Sequence, residues 1–94
     1  MSGAVYNARC SCNAIFEPHE GEISQQTITV TFAQMMNQII IVNTSNVIDL
    51  AFKFKSADEF GTLGPGEQIS VDIRSQTAII RSYDNLKYKV WGFG

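Results

Sequence analysis

The stretch LGPGEQISVDIR, Leu63 to Arg74, decides the fold. In Gly64-Pro65-Gly66-Glu67 the proline suits the second position of a type II turn and Gly66 the third, which needs positive φ. Beyond the turn Ile69, Val71 and Ile73 alternate with Ser70, Asp72 and Arg74, so one side of an extended strand is apolar and the other polar. A chain reversal feeding a period-two strand predicts antiparallel β-structure.

The same grammar extends in both directions. Val47 to Lys55 alternates Ile48, Leu50, Phe52 and Phe54 against Asp49, Ala51, Lys53 and Lys55. Asn43-Thr44-Ser45-Asn46 supplies the preceding turn, because short polar side chains bond local backbone. Gln38 to Val42 is almost wholly apolar and β-branched, as suits a central strand covered on both faces. Further upstream Ile28, Val30 and Phe32 alternate with Thr27, Thr29 and Thr31, and Ala33 to Asn37 breaks the period. Downstream come a short run, Ala78 to Ile80, and a last strand, Leu86 to Phe93, in which Leu86, Tyr88 and Val90 oppose Lys87, Lys89, Trp91 and Phe93. Strand signals every ~8 to 12 residues without a long amphipathic helix predict an all-β fold, an antiparallel β-sandwich (Ig-like or jelly-roll-like) or a small barrel.

Met1 to Gly21 shows no sustained period, and Pro18 and Gly21 read as loop chemistry. The expected organisation is an extended N-terminal arm over residues 1–25, with one short strand near Ala4 to Cys10, followed by a β-sandwich over residues 26–94. A lone arm cannot satisfy its own backbone, so it is expected either to fray or to dock on a neighbour, and it is a candidate contact element.

Charge narrows the function classes. Only 17% of the 94 residues are charged, below the roughly 25% of an average soluble domain, which points to surface covered by other subunits. The net charge of -2 argues against a nucleic-acid partner, which calls for clustered Lys and Arg. Ser24 to Ile48 carries no charge, yet Gln25, Gln26, Gln34, Asn37, Gln38, Asn43 and Asn46 make it too polar to span a membrane. Burial against protein is the expectation for this segment. Met1 to Ala4 shows no basic n-region of a signal peptide, and cytosolic synthesis is expected.

No constellation carries chemistry. Cys10 and Cys12 are spaced without disulfide geometry and are expected as free thiols; His19 is the sole histidine, so a zinc site lacks ligands. Glu17, His19, Glu20 and Glu22 match no cation-binding signature and read as a solvated loop, as Asp58-Glu59 reads as an exposed turn. Serines lack a nucleophile-elbow pattern, and Gly61, Gly64 and Gly66 join strands instead of cradling phosphate. No catalysis, no metal and no cofactor are therefore expected. Interface roles fall to the threonine face of Thr27, Thr29 and Thr31 and to Trp91 and Phe93, which either close the sandwich or cover a subunit seam. A half-exposed Trp91 would alternatively offer a stacking platform for carbohydrate in an adhesion module.

The runs IIIVNTSNVIDLAFKF (Ile39–Phe54), LGPGEQISVDIRS (Leu63–Ser75), AIIRS (Ala78–Ser82) and YKVWGFG (Tyr88–Gly94) resemble small structural proteins of tailed bacteriophage virions. The resemblance implies a non-enzymatic capsid decoration (cement) protein that stabilises the assembled head, or else a tail or head-to-tail component. It implies major capsid protein or other virion proteins as partners, a homo-oligomer with a trimer favoured, and residence in the virion after synthesis in the host cytoplasm.

Overall fold

The computed structural model describes residues 15–94. Eight strands occupy them: β1 (Phe16–Ile23), β2 (Gln26–Met36), β3 (Gln38–Asn43), β4 (Leu50–Lys53), β5 (Gly61–Leu63), β6 (Gln68–Val71), β7 (Ser75–Ser82) and β8 (Leu86–Phe93). Sheet A has the order β1-β8-β3-β6 and sheet B the order β2-β7-β4-β5. Every pairing is antiparallel, and the pairs nest: β1 with β8, β2 with β7, β3 with β6, β4 with β5. Pairing of β3 with β8 and of β4 with β7 completes each sheet. An eight-stranded ribbon folded over so that first meets last is the jelly roll, and of the two expected sandwich topologies this is the one adopted.

The alternation read from the sequence sets the core. Val30, Phe32 and Met36 of β2, Ile39 and Ile41 of β3, Leu50, Phe54, Leu63, Ala78, Ile80, Leu86 and Val90 meet between the sheets. Ile69, Val71 and Ile73 pack at its margin. The turn at Gly64 to Glu67 is as expected: Glu67 N donates to Gly64 O at 3.1 Å, and Gly66 has φ of 75°.

Four expectations change. Phe16 to Ile23, assigned to the arm, is a full strand in register with β8, from Phe16 opposite Phe93 to Ile23 opposite Leu86. Its period escaped notice because the inward set is Glu17, His19, Gly21 and Ile23, of which only the last is strongly apolar. β2 continues to Met36, through most of the supposed break at residues 33–37, because a register shift between Thr31 and Met36 lets both Phe32 and Met36 turn inward. The alternating run from Val47 yields a strand only at Leu50–Lys53, since residues 44–49 are held in a loop by side chains: Ser45 Oγ accepts from Val47 N at 3.1 Å and from Ile48 N at 3.0 Å. β3 is interior to its sheet, but only its inner side is covered: Ile39, Ile41 and Asn43 are buried while Ile40 and Val42 are half-exposed. The expected strand near Ala4 to Cys10 and the two cysteines lie outside the described residues.

Candidate functional site

The outer face of sheet A gathers side chains from three strands. Residues directly opposite in register share a face, so Phe16, Pro18, Glu20 and Glu22 of β1 stand beside Phe93, Trp91, Lys89 and Lys87 of β8. Next in the sheet, Gln38, Ile40 and Val42 of β3 oppose Phe93, Trp91 and Lys89. One end of this face is therefore apolar and the other charged.

At the apolar end Phe16 stacks on Phe93 with centroids 5.1 Å apart and meets Trp91 edge-on at 6.4 Å. Phe16 nevertheless remains 55% exposed. Trp91 is half-buried, and its indole N–H reaches Glu20 Oε2 at 3.4 Å while Lys89 Nζ lies 5.9 Å from its ring centroid. These rings lie on the outside of the sheet, beside Ile40 and away from the inter-sheet core, so Trp91 and Phe93 do not close the sandwich.

At the charged end a cavity of about 430 Å³ is lined by Glu20, Glu22, Thr44, Lys87, Tyr88 and Lys89. Glu20 faces Lys89 and Glu22 faces Lys87 across the β1–β8 ladder, yet among the described residues none of these four closes an ion pair. The acids stand in a row on β1 and the bases in a parallel row on β8. Thr44 Oγ1 donates to Lys87 O at 2.6 Å and fixes the rim. Gly21 lets the edge strand come close, because Tyr88 Oη lies 3.0 Å from where a Cβ at position 21 would sit.

Glu17 and His19 face the other way, into the seam between β1 and the irregular part of β2. Glu17 Oε2 lies 2.5 Å from His19 Nε2, its Oε1 accepts from Ala33 N at 2.9 Å, and the imidazole meets Phe32 edge-on at 5.2 Å. The hydrogen bond from Ala33, aided by His19, holds the Glu17 carboxyl below its usual range. These residues do not form a solvated loop with Glu20 and Glu22, for alternation sends the two pairs to opposite faces. Among the described residues no three His, Cys, Asp or Glu side chains converge as a metal site would require.

Thr27, Thr29 and Thr31 stand exposed on the outer face of sheet B, the far side of the sandwich from Trp91 and Phe93. The two sets named from the sequence thus belong to separate surfaces. Likewise the uncharged stretch Ser24 to Ile48 supplies β2 to one sheet and β3 to the other, and forms no single contact surface. Phe16, Pro18 and Glu20 were missed as companions of Trp91. The period-two placement of Phe16, Pro18, Glu20 and Glu22 was the available signal, hidden by the mixed character of the inward set.

Comparison with solved structures places this arrangement. The Cupin_2 domain of an XRE-family transcriptional regulator from Enterobacter cloacae superposes with a TM-score of 0.59 at 15% identity, covering 81% of this chain and 78% of that one. A cupin superfamily protein from Desulfitobacterium hafniense gives 0.57 at 9% identity, covering 92% and 81%. The chain has a cupin-like fold. A protein of unknown function from Vibrio parahaemolyticus is also similar, with a TM-score of 0.56 at 15% identity over 79% of this chain and 72% of that one. No protein-family model matches the sequence, and no curated protein matches it. These neighbours overturn the expected kinship with phage decoration and tail proteins, and with it the capsid-stabilising role. The physical reason is that Gly-Pro-Gly turns and Ile-x-Val-x-Ile strands encode a β-ribbon reversal, which a cupin-like jelly roll requires as much as any virion module does.

Proposed function

We propose that this chain is a non-enzymatic binding module of cupin-like fold whose first partner is a second copy of itself, joined through the outer face of sheet A. The observation that carries the reading is the outward-facing cluster of Phe16, Pro18, Ile40, Trp91 and Phe93, exposed or half-exposed and lying end to end with the rows Glu20–Glu22 and Lys87–Lys89. Apolar side chains gathered in one place on a surface mark interaction sites. A two-fold axis makes an interface self-complementary, and a face carrying both an acidic and a basic row matches itself when turned about such an axis. A binding role is further supported by the sole histidine, which is engaged by Glu17 and packed edge-on against Phe32.

Sedimentation equilibrium of the full chain at tens of micromolar tests the reading. A dimer is expected, with Trp91→Glu converting it to a monomer of unchanged β circular dichroism. A wild-type monomer, or a dimer indifferent to Trp91→Glu, would count against the assignment.

A further inference from the structure

The opposite face of the molecule carries a second, unrelated feature. The four strands of sheet B contain Lys53 and Arg81 and not one Asp or Glu, although the chain as a whole has a net charge of -2. Both cations project outward. Register places Thr27, Arg81, Ala51 and Thr62 in one row across the sheet, with Thr29, Ile79 and Lys53 in the next. Arg81 is therefore flanked by the short side chains of Thr27 and Ala51, one of them a hydroxyl.

Aromatic rings, not carboxylates, hold the arginine. Its Cζ lies 4.0 Å from the centroid of Phe60 and 5.2 Å from that of Tyr83, which is 76% exposed. Lys53 Nζ lies 4.6 Å from the same Phe60 ring and donates to Ser56 O at 2.9 Å, leaving two of its three hydrogens. Arg81 Nε is shut off from solvent and has no hydrogen-bond partner among the described residues. With Nε enclosed and aromatic faces fixing its plane, the guanidinium offers its two Nη groups in a fixed orientation to an acceptor.

We propose that this face binds a small oxyanion, phosphate or a phosphate monoester, at Arg81 with Lys53 as the second charge. Among the described residues neither cation is tied up in an ion pair; two such cations suit a dianion better than a monoanion, and tetrahedral oxygens accept from the guanidinium Nη groups and from Thr27, the hydroxyl directly beside Arg81 in the register. This site is independent of the self-association argued above, since it lies on the other sheet.

Titration of the full chain with inorganic phosphate, followed by the arginine Nε–Hε and amide NMR signals, tests the proposal. A saturable shift is expected at Arg81, Lys53 and Thr27, reproduced by glycerol phosphate and much weaker with acetate. Arg81→Gln should weaken binding by roughly ten-fold or more, Arg81→Lys should fall between, and Lys53→Gln should cost a few-fold. The amide spectrum without ligand reports whether Arg81→Gln folds; should it not, Lys53→Gln alone decides, and undiminished affinity there overturns the site. Absence of a saturable shift, an equal response to acetate, or unchanged binding by Arg81→Gln would each overturn it too.

Discussion

The side-chain amide of Asn43, on sheet A, donates to the carbonyl of Leu63, on sheet B, at 3.1 Å. The same NH₂ group lies 2.7 Å from Ile48 O and 3.0 Å from Gly64 O, while Asn43 Oδ1 accepts from Ser45 N at 3.0 Å. Asn43 is fully buried. One residue thus ties the end of β3, the 44–49 loop and the turn before β6 into a single corner of the jelly roll.

Removing that hub should cost more than an ordinary turn residue. Asn43→Ala leaves several carbonyls and one N–H without their partner in a dry corner, and a loss of about 2 to 3 kcal/mol is expected in urea unfolding. Asn43→Asp should be at least as damaging, because it turns the donor group into a carboxylate oxygen facing three carbonyl oxygens. Stability of Asn43→Ala equal to wild type would show that water replaces the amide.

Gly92 is a packing requirement and not a turn. It lies buried in β8 opposite Ile39 and Glu17, and a Cβ there would come 2.7 Å from Met36 Cγ and 2.8 Å from Phe32 Cε1. Gly92→Ala should therefore destabilise by about 1 to 3 kcal/mol through overpacking. The clash has a signature: in a Met36→Ala background the cost of Gly92→Ala should shrink by more than about 0.5 kcal/mol, read from thermal melts of the four proteins. Strict additivity would assign the effect to the backbone instead.

Acid should loosen the seam between β1 and β2. The Glu17 carboxyl titrates below its ordinary value of 4.5, chiefly because Ala33 N donates to it and secondarily because His19 does. A carboxyl whose folded value is depressed adds stability that is complete above its unfolded value and vanishes as pH falls through the folded one. Wild type should therefore lose more stability than Glu17→Gln between about pH 5 and about pH 3, since glutamine keeps an acceptor for Ala33 without a titrating group. Parallel loss in both proteins would remove Glu17 from the acid response.

The depth to which the sequence could be read follows the side chains that reported it. Gly64-Pro65-Gly66 and the alternations of β2, β6 and β8 announced themselves because turn geometry and half-buried strands demand particular residues locally. β1 was silent, since a strand whose inward positions are Glu17, His19 and Gly21 has no hydrophobic period to detect. Asn43 was legible only as a turn residue. Its acceptors at Leu63 and Gly64 are some twenty residues away and come within reach only when the sheets stack.

The residues by themselves determined an all-β antiparallel fold and the faces of most strands, with Trp91 and Phe93 on the side of β8 opposite Val90, because these follow from the two-residue period of extended chain. Which strands neighbour one another was left to tertiary structure, for pairing joins segments as distant as Phe16 and Phe93. That pairing alone chose the cupin-like jelly roll, set Trp91 beside Phe16 and Glu20, and sent Thr27, Thr29 and Thr31 to the far sheet with Arg81. Local pattern specifies which side of a strand is apolar; only the closing of the ribbon decides what that side meets.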